Sequence, residues 1–131
     1  MNKILGHFIW GAISALAAFC LAFVGLPAAA QLNLYCSSPN TAWCQGMANG
    51  FEKSTGIKVA VVQKATGEML AQVKAERANP KGDVWWAGPG DAYLQAAEDG
   101  LLEAYTSPNV KDLQDWAQRI TAVSQGRVTG V

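Results

Sequence analysis

Three short apolar runs, each followed by a stretch with helical spacing, fix the architecture open to this chain. Leu32-Asn33-Leu34-Tyr35-Cys36 alternates over a few residues and reads as a first strand. Ile57 to Lys64 is rich in β-branched residues and reads as a second. Asp83-Val84-Trp85-Trp86 reads as a third, running into the turn Ala87-Gly88-Pro89-Gly90. Between them, Trp43, Met47 and Phe51 recur every fourth residue on a helix predicted to start at Ser38-Pro39 and stop at Gly56. Thr66-Gly67 opens a helix with Met69, Leu70 and Val73 on its buried side, ending near Asn79-Pro80. Asp91 is placed to cap a third helix with Leu94, Ala97 and Leu101 inward, and Leu113 and Trp116 suggest a short one after Ser107-Pro108-Asn109. Strands alternating with helices imply an α/β fold with a parallel sheet and right-handed crossovers.

The first thirty residues stand apart from this pattern. Lys3 gives a positive start, Phe8 to Leu26 is almost uncharged, and Ala28-Ala29-Ala30 after Pro27 is the small-residue pattern a signal peptidase cuts. We therefore expect a signal peptide over residues 1–30, cleaved after Ala30, and a protein exported to the periplasm. An uncleaved anchor is the alternative, since Phe8 to Leu26 is long enough to span a bilayer. Cys20 does not make a lipoprotein signal, because Phe19 stands where a small residue is required.

Removing the leader subtracts Lys3, Cys20 and the only histidine, His7, leaving nine basic side chains against ten acidic ones. Residues 31–131 then amount to one modest α/β unit. Scattered lysines at near-zero net charge argue against a nucleic-acid surface, which needs a basic patch. Cys36 and Cys44 remain as the only cysteine pair, and in an oxidising compartment they favour a disulfide. A structural zinc site would lack ligands, and the spacing is wrong for a CxxC redox pair. No metal site and no cofactor are expected.

In open α/β sheets, ligands sit beyond the carboxyl ends of the strands. Three strand-to-helix loops occupy that position: Cys36 to Thr41, Ala65 to Glu68, and Ala87 to Asp91. Helix N-termini receive anions through free N–H groups, and glycine lets an oxyanion approach the backbone. Ser37, Ser38, Thr66, Gly67 and Gly88 are the candidate ligand contacts, although Ser38, Thr66 and Asp91 would also serve as ordinary caps. Trp85 and Trp86 point to opposite faces of a strand, one into the core and the other available to the cleft. Trp43 is expected on the core face of its helix. A histidine-dependent triad is out of reach after export, and Glu68 and Asp91 are more simply read as dipole-complementing residues than as an acid/base pair. The expectation is a binder, not an enzyme; a small exported hydrolase using Glu68 and Asp91 is the alternative from another class.

Several segments carry a specific resemblance. Leu34-Tyr35-Cys36-Ser37-Ser38 and Phe51-Glu52-Lys53-Ser54-Thr55-Gly56-Ile57-Lys58-Val59 resemble the opening of periplasmic solute-binding proteins of ABC transporters. So do Gln72 to Trp86 and Gln95 to Tyr105, in matching order and spacing. The branch is the one known for ferric-iron binding, which also contains binders of hexose phosphates and phosphonates. The resemblance implies a type II periplasmic-binding-protein fold of two α/β lobes with ligand between them, and a membrane permease as partner. It runs from Leu32 to about Pro108 and marks residues 31–131 as the N-terminal lobe, and Arg127 to Val131 reads as a strand just beginning. A chain truncated before its second lobe is therefore expected, either partial or, as a lone lobe, without function. Ferric-iron members resemble one another in using a tyrosine pair from the second lobe, often with a histidine or glutamate from the first. Here the first loop offers hydroxyls and no such ligand, which suits an anion better than a hard cation. The paired cysteines also resemble the sugar-phosphate branch. A phosphorylated sugar, phosphonate or similar anionic solute is expected, with ferric iron as the alternative.

Overall fold

The computed structural model describes residues 31–130, so the signal-peptide expectation for residues 1–30 lies outside the described residues. No described helix is long and apolar enough to cross a membrane. Strand β1 (Gln31–Cys36), helix α1 (Thr41–Thr55), β2 (Lys58–Gln63), α2 (Thr66–Ala75), β3 (Val84–Trp86) and α3 (Gly90–Glu98) follow in alternation. A 3₁₀ turn at Pro108–Asp112 and helix α4 (Asp115–Val123) complete the chain's described elements.

The sheet order is β2-β1-β3, and both pairings are parallel. β1 is central, so it is buried over its second half at Leu34, Tyr35 and Cys36. Its register aligns Cys36 with both Gln63 and Trp86, which brings the carboxyl ends of all three strands to one edge. The chain leaves β1 into α1, which packs on β2, while α2 and α3 pack against each other. β1 residues Leu34 and Cys36 point one way and Tyr35 the other, as the two-residue period of a strand requires.

Tertiary ties fix α1 more firmly than its sequence pattern does. Cys36 and Cys44 form a disulfide, with Cα atoms 6.0 Å apart, and both are fully buried. Glu52 near the other end accepts a hydrogen bond from the Val59 amide at 2.7 Å. That bond holds the Glu52 carboxyl below its ordinary range. With Cys44 pinned to β1, the face turned to the sheet is that of Cys44 and Ala48. Trp43, Met47 and Phe51 are 64%, 55% and 39% exposed, so the expected core stripe is corrected, and Met47 and Phe51 instead border an open apolar recess with Leu32, Leu34, Val84 and Trp86.

Other expectations are also corrected. The inward residues of α3 are Ala92, Tyr93 and Ala96, because Tyr93 packs on Trp85 with ring centroids 4.3 Å apart. Leu94 and Ala97 are only half-buried. Met69 of α2 is fully buried, as its periodicity implies. Trp116 is exposed, and Ala117 and Thr121 turn inward instead. Residues 127–130 form no strand: Val128 is tied back to α4's end, its N–H donating to Ser124 Oγ while its carbonyl accepts from that hydroxyl.

Candidate functional site

At the carboxyl edge of the sheet the three strand-to-helix loops enclose an open recess of about 600 Å³. Ser37, Ser38, Thr66 and Gly88 line it, as do Thr41 and Lys64. Gly67 lies in the first turn of α2 and is not part of the lining; a Cβ there would meet nothing within 4 Å. Glu68 and Asp91, in the first turns of α2 and α3, do not line it either.

Ser37 is held by its neighbours. Its backbone N–H donates to the Trp86 carbonyl at 2.9 Å, closing the last pair of the β1–β3 ladder. Its hydroxyl accepts from the Trp85 indole N–H at 2.8 Å. Among the described residues that hydroxyl donates to no protein group, and Ser37 lines the recess. Trp85 is braced by Tyr93, whose own hydroxyl donates to the Ala87 carbonyl. Burial pushes the Tyr93 phenol up, so it stays a donor. Trp85 thus serves the site at one remove, through Ser37. Trp86 turns to the opposite face beside Leu32 and Leu34, and neither tryptophan lines the recess, contrary to expectation.

Ala87 and Gly88 carry the third loop across at φ 65° and 102°. Such angles are costly for side-chain-bearing residues and occur where a loop is over-determined by its surroundings. A Cβ on Gly88 would come within 2.7 Å of Thr66 Oγ1 and 3.1 Å of Ser37 Cβ. The third loop therefore lies close against both the first and the second. Gln63 adds a clamp, its side-chain amide donating to the Ser38 carbonyl at 2.6 Å, while Ser38 Oγ accepts the Asn40 N–H at 3.1 Å.

The helix ends correct the capping expectation. Asn40, not Ser38, caps α1, its Oδ1 accepting the Ala42 N–H at 3.0 Å. The residues at the cap positions of α2 and α3 are Ala65 and Pro89, and neither makes a side-chain cap bond. Thr66 and Asp91 are already helical. Helix capping therefore does not explain Ser38, Thr66 or Asp91, and α2 begins at the recess, with Ala65 and Thr66 in its lining, without a side-chain cap. No group of three His, Cys, Asp or Glu side chains is placed to hold a metal ion among the described residues.

Lys64 and Gln63 are the lining residues that sequence reasoning passed over. Both end a strand, and only the parallel register places a strand end beside another loop. In the sequence the one signal for them is a polar pair directly before Ala65-Thr66-Gly67.

The chain is similar to several proteins. The AfuA periplasmic binding protein from Actinobacillus pleuropneumoniae, solved with fructose-6-phosphate bound, is 37% identical with a TM-score of 0.66, over 68% of this chain and 28% of that one. The periplasmic binding protein P5PA is 28% identical with a TM-score of 0.69, over 74% and 31%. Iron-bound HitA from Pseudomonas aeruginosa is 26% identical with a TM-score of 0.58, over 64% and 27%. An uncharacterised protein of Haemophilus influenzae is 36% identical over 83 residues, which is 63% of this chain and 24% of that protein. The chain thus spans about a quarter to a third of the length of these relatives. The model of the family described as bacterial extracellular solute-binding protein matches residues 46–131. With the parallel α/β fold and the loop-lined edge, that match places the chain in the bacterial extracellular solute-binding protein family.

Proposed function

We propose that residues 31–131 are the N-terminal lobe of a periplasmic binding protein that captures an anionic solute for an ABC importer, after export and cleavage behind Ala30. The solute is a phosphorylated sugar, a phosphonate or a close chemical relative. The observation that carries this reading is the convergence of Ser37, Ser38, Thr66 and Gly88 on one recess at the uncapped start of α2. Hydroxyl protons and free amides are donors, and they match the oxygens of a phosphoryl group. Likeness to a binding protein solved with fructose-6-phosphate supports the same class. Likeness to iron-bound HitA favours ferric iron instead, but among the described residues no carboxylate, phenol or imidazole lines this recess. The proposed activity is capture alone; transport work falls to the importer, through a permease partner, and no chemical step is assigned to Glu68 and Asp91.

Calorimetric titration of the chain with fructose 6-phosphate and with ferric citrate separates the two ligands. Binding of the phosphate ester, lost when Ser37 and Thr66 are both replaced by alanine, is the expected result. Heat from ferric citrate alone, or phosphate binding untouched by the double replacement, overturns the assignment. N-terminal sequencing of exported protein should begin at Gln31.

A further inference from the structure

The hydroxyls and amides described above can recognise oxygen atoms but carry no full charge. Among the described residues, Lys64 is the one charged side chain lining the recess. The β1–β2 register ends at Cys36 opposite Gln63, and the two chains leave that edge as Ser37 and Lys64. The Lys64 N–H donates to the Cys36 carbonyl at 3.2 Å, which closes the last parallel pair and anchors the Lys64 backbone at the sheet edge. Ser37 and Lys64 both line the recess, together with Gln63. On its other side Ser37 is held to the Trp86 carbonyl, from which the Ala87–Gly88 turn follows directly.

The lysine is also unspent. The described ion pairs are Lys58 with Glu52 and Lys74 with Asp99, and neither involves Lys64. The carboxylates in the first turns of α2 and α3, Glu68 and Asp91, lie outside the recess lining. An ammonium group on a four-carbon stem, anchored at its backbone and facing a ring of hydroxyl donors, is a point counter-charge for an anion. The same group would repel a free metal cation.

Resting on the reading of the recess as an anion site, we propose that Lys64 is its charge-selecting residue. It distinguishes a phosphate ester or phosphonate from the uncharged sugar, while Ser37 and Thr66 orient the oxygens. Its role is electrostatic, so arginine substitutes for it and glutamine does not.

The test is titration of the whole chain with fructose 6-phosphate and with fructose, in wild type, Lys64→Gln and Lys64→Arg, at two salt concentrations. Lys64→Gln should weaken phosphate-ester binding by about ten- to a hundredfold, the range expected for loss of a charge-assisted contact. Its residual binding should respond less to salt than the wild type's. Lys64→Arg should stay within about threefold of wild type, and all three should melt together, since the side chain makes no described contact that supports the fold. A wild type that binds fructose 6-phosphate and a Lys64→Gln variant that binds it equally well overturn this inference alone. A wild type that does not distinguish fructose 6-phosphate from fructose overturns the anion-site reading itself.

Discussion

Replacing Gly88 with alanine tests the loop junction directly. At φ 102° an L-residue is strained wherever its side chain goes, at a cost of about 1–3 kcal/mol. The new Cβ would also sit 2.7 Å from Thr66 Oγ1 and 3.1 Å from Ser37 Cβ. Thr66 is β-branched with few alternative χ1 positions, and swinging it off its rotamer adds about 1 kcal/mol. The expected loss is about 2–4 kcal/mol, a fall in melting temperature on the order of 10–20 °C for a unit of this size. Gly67→Ala is the internal control. Nothing lies within 4 Å of the methyl group this change would add, and alanine in a helix is favoured over glycine by up to about 1 kcal/mol. Circular-dichroism melts of both variants, with a fructose 6-phosphate titration of each, provide the comparison. Gly88→Ala should melt lower and bind more weakly, because the Thr66 hydroxyl has moved. Gly67→Ala should melt at or above wild type. A Gly88→Ala melt within about 2 °C of wild type, or equal damage from both substitutions, refutes the argument that the three loops meet at Gly88.

Three further outcomes are expected. Replacing Cys36 and Cys44 together by serine should lower stability by about 2–3 kcal/mol in urea unfolding, and reduced wild-type protein should match the variant. Trp43→Glu and Met47→Glu should each change stability by about 0.5 kcal/mol or less, because both side chains are mostly exposed; a loss of about 3–5 kcal/mol would restore them to the core. Tyr35 donates to Glu76 at 2.7 Å, and this bond holds the Glu76 carboxyl below its ordinary range. A depressed carboxyl contributes stability that is present above its unfolded pKa and lost as pH falls through the folded one. Tyr35→Phe should therefore melt below wild type at neutral pH, by about 1 kcal/mol, and the gap should close in acid as Glu76 protonates. A gap that persists unchanged at pH well below the carboxylate range would show that the bond to Glu76 is not its source.

The alternation of strands and helices was legible because β-branched runs and turn residues act locally. Val59, Val61 and Val62 form a strand wherever they are placed in a sheet, and Gly56 stops a helix by its own left-handed φ of 74°. The candidate contacts Ser37, Ser38, Thr66 and Gly88 were legible for a related reason: parallel strands align their carboxyl ends, so loops following them must be neighbours. What the pattern could not give was rotation about a helix axis. Trp43, Met47 and Phe51 have the spacing of a core face, yet the bond from Cys36 to Cys44 centres the contact on Cys44 and Ala48 and leaves that stripe at its edge. Capping failed similarly, since Ser38, Asn40 and Thr41 are all plausible starts and Pro39 suits either side of a boundary. Lys64 left only the faint signal of a polar residue before Ala65, because its significance depends on meeting Ser37 at the recess, and the whole of α1 separates the two along the chain.

The disulfide ties the last residue of β1 to the first turn of α1, and the segment it brackets holds Ser37, Ser38 and Asn40. For a chain exported as proposed, this links capture to address. Before crossing the membrane, in a reducing cytoplasm, the first wall of the recess has its side chains but not its tether. Once oxidised, the same wall is held in shape before any solute arrives. The bridge then acts as a checkpoint, keeping a phosphate-seeking surface unfinished while it is still among the cell's own phosphorylated metabolites.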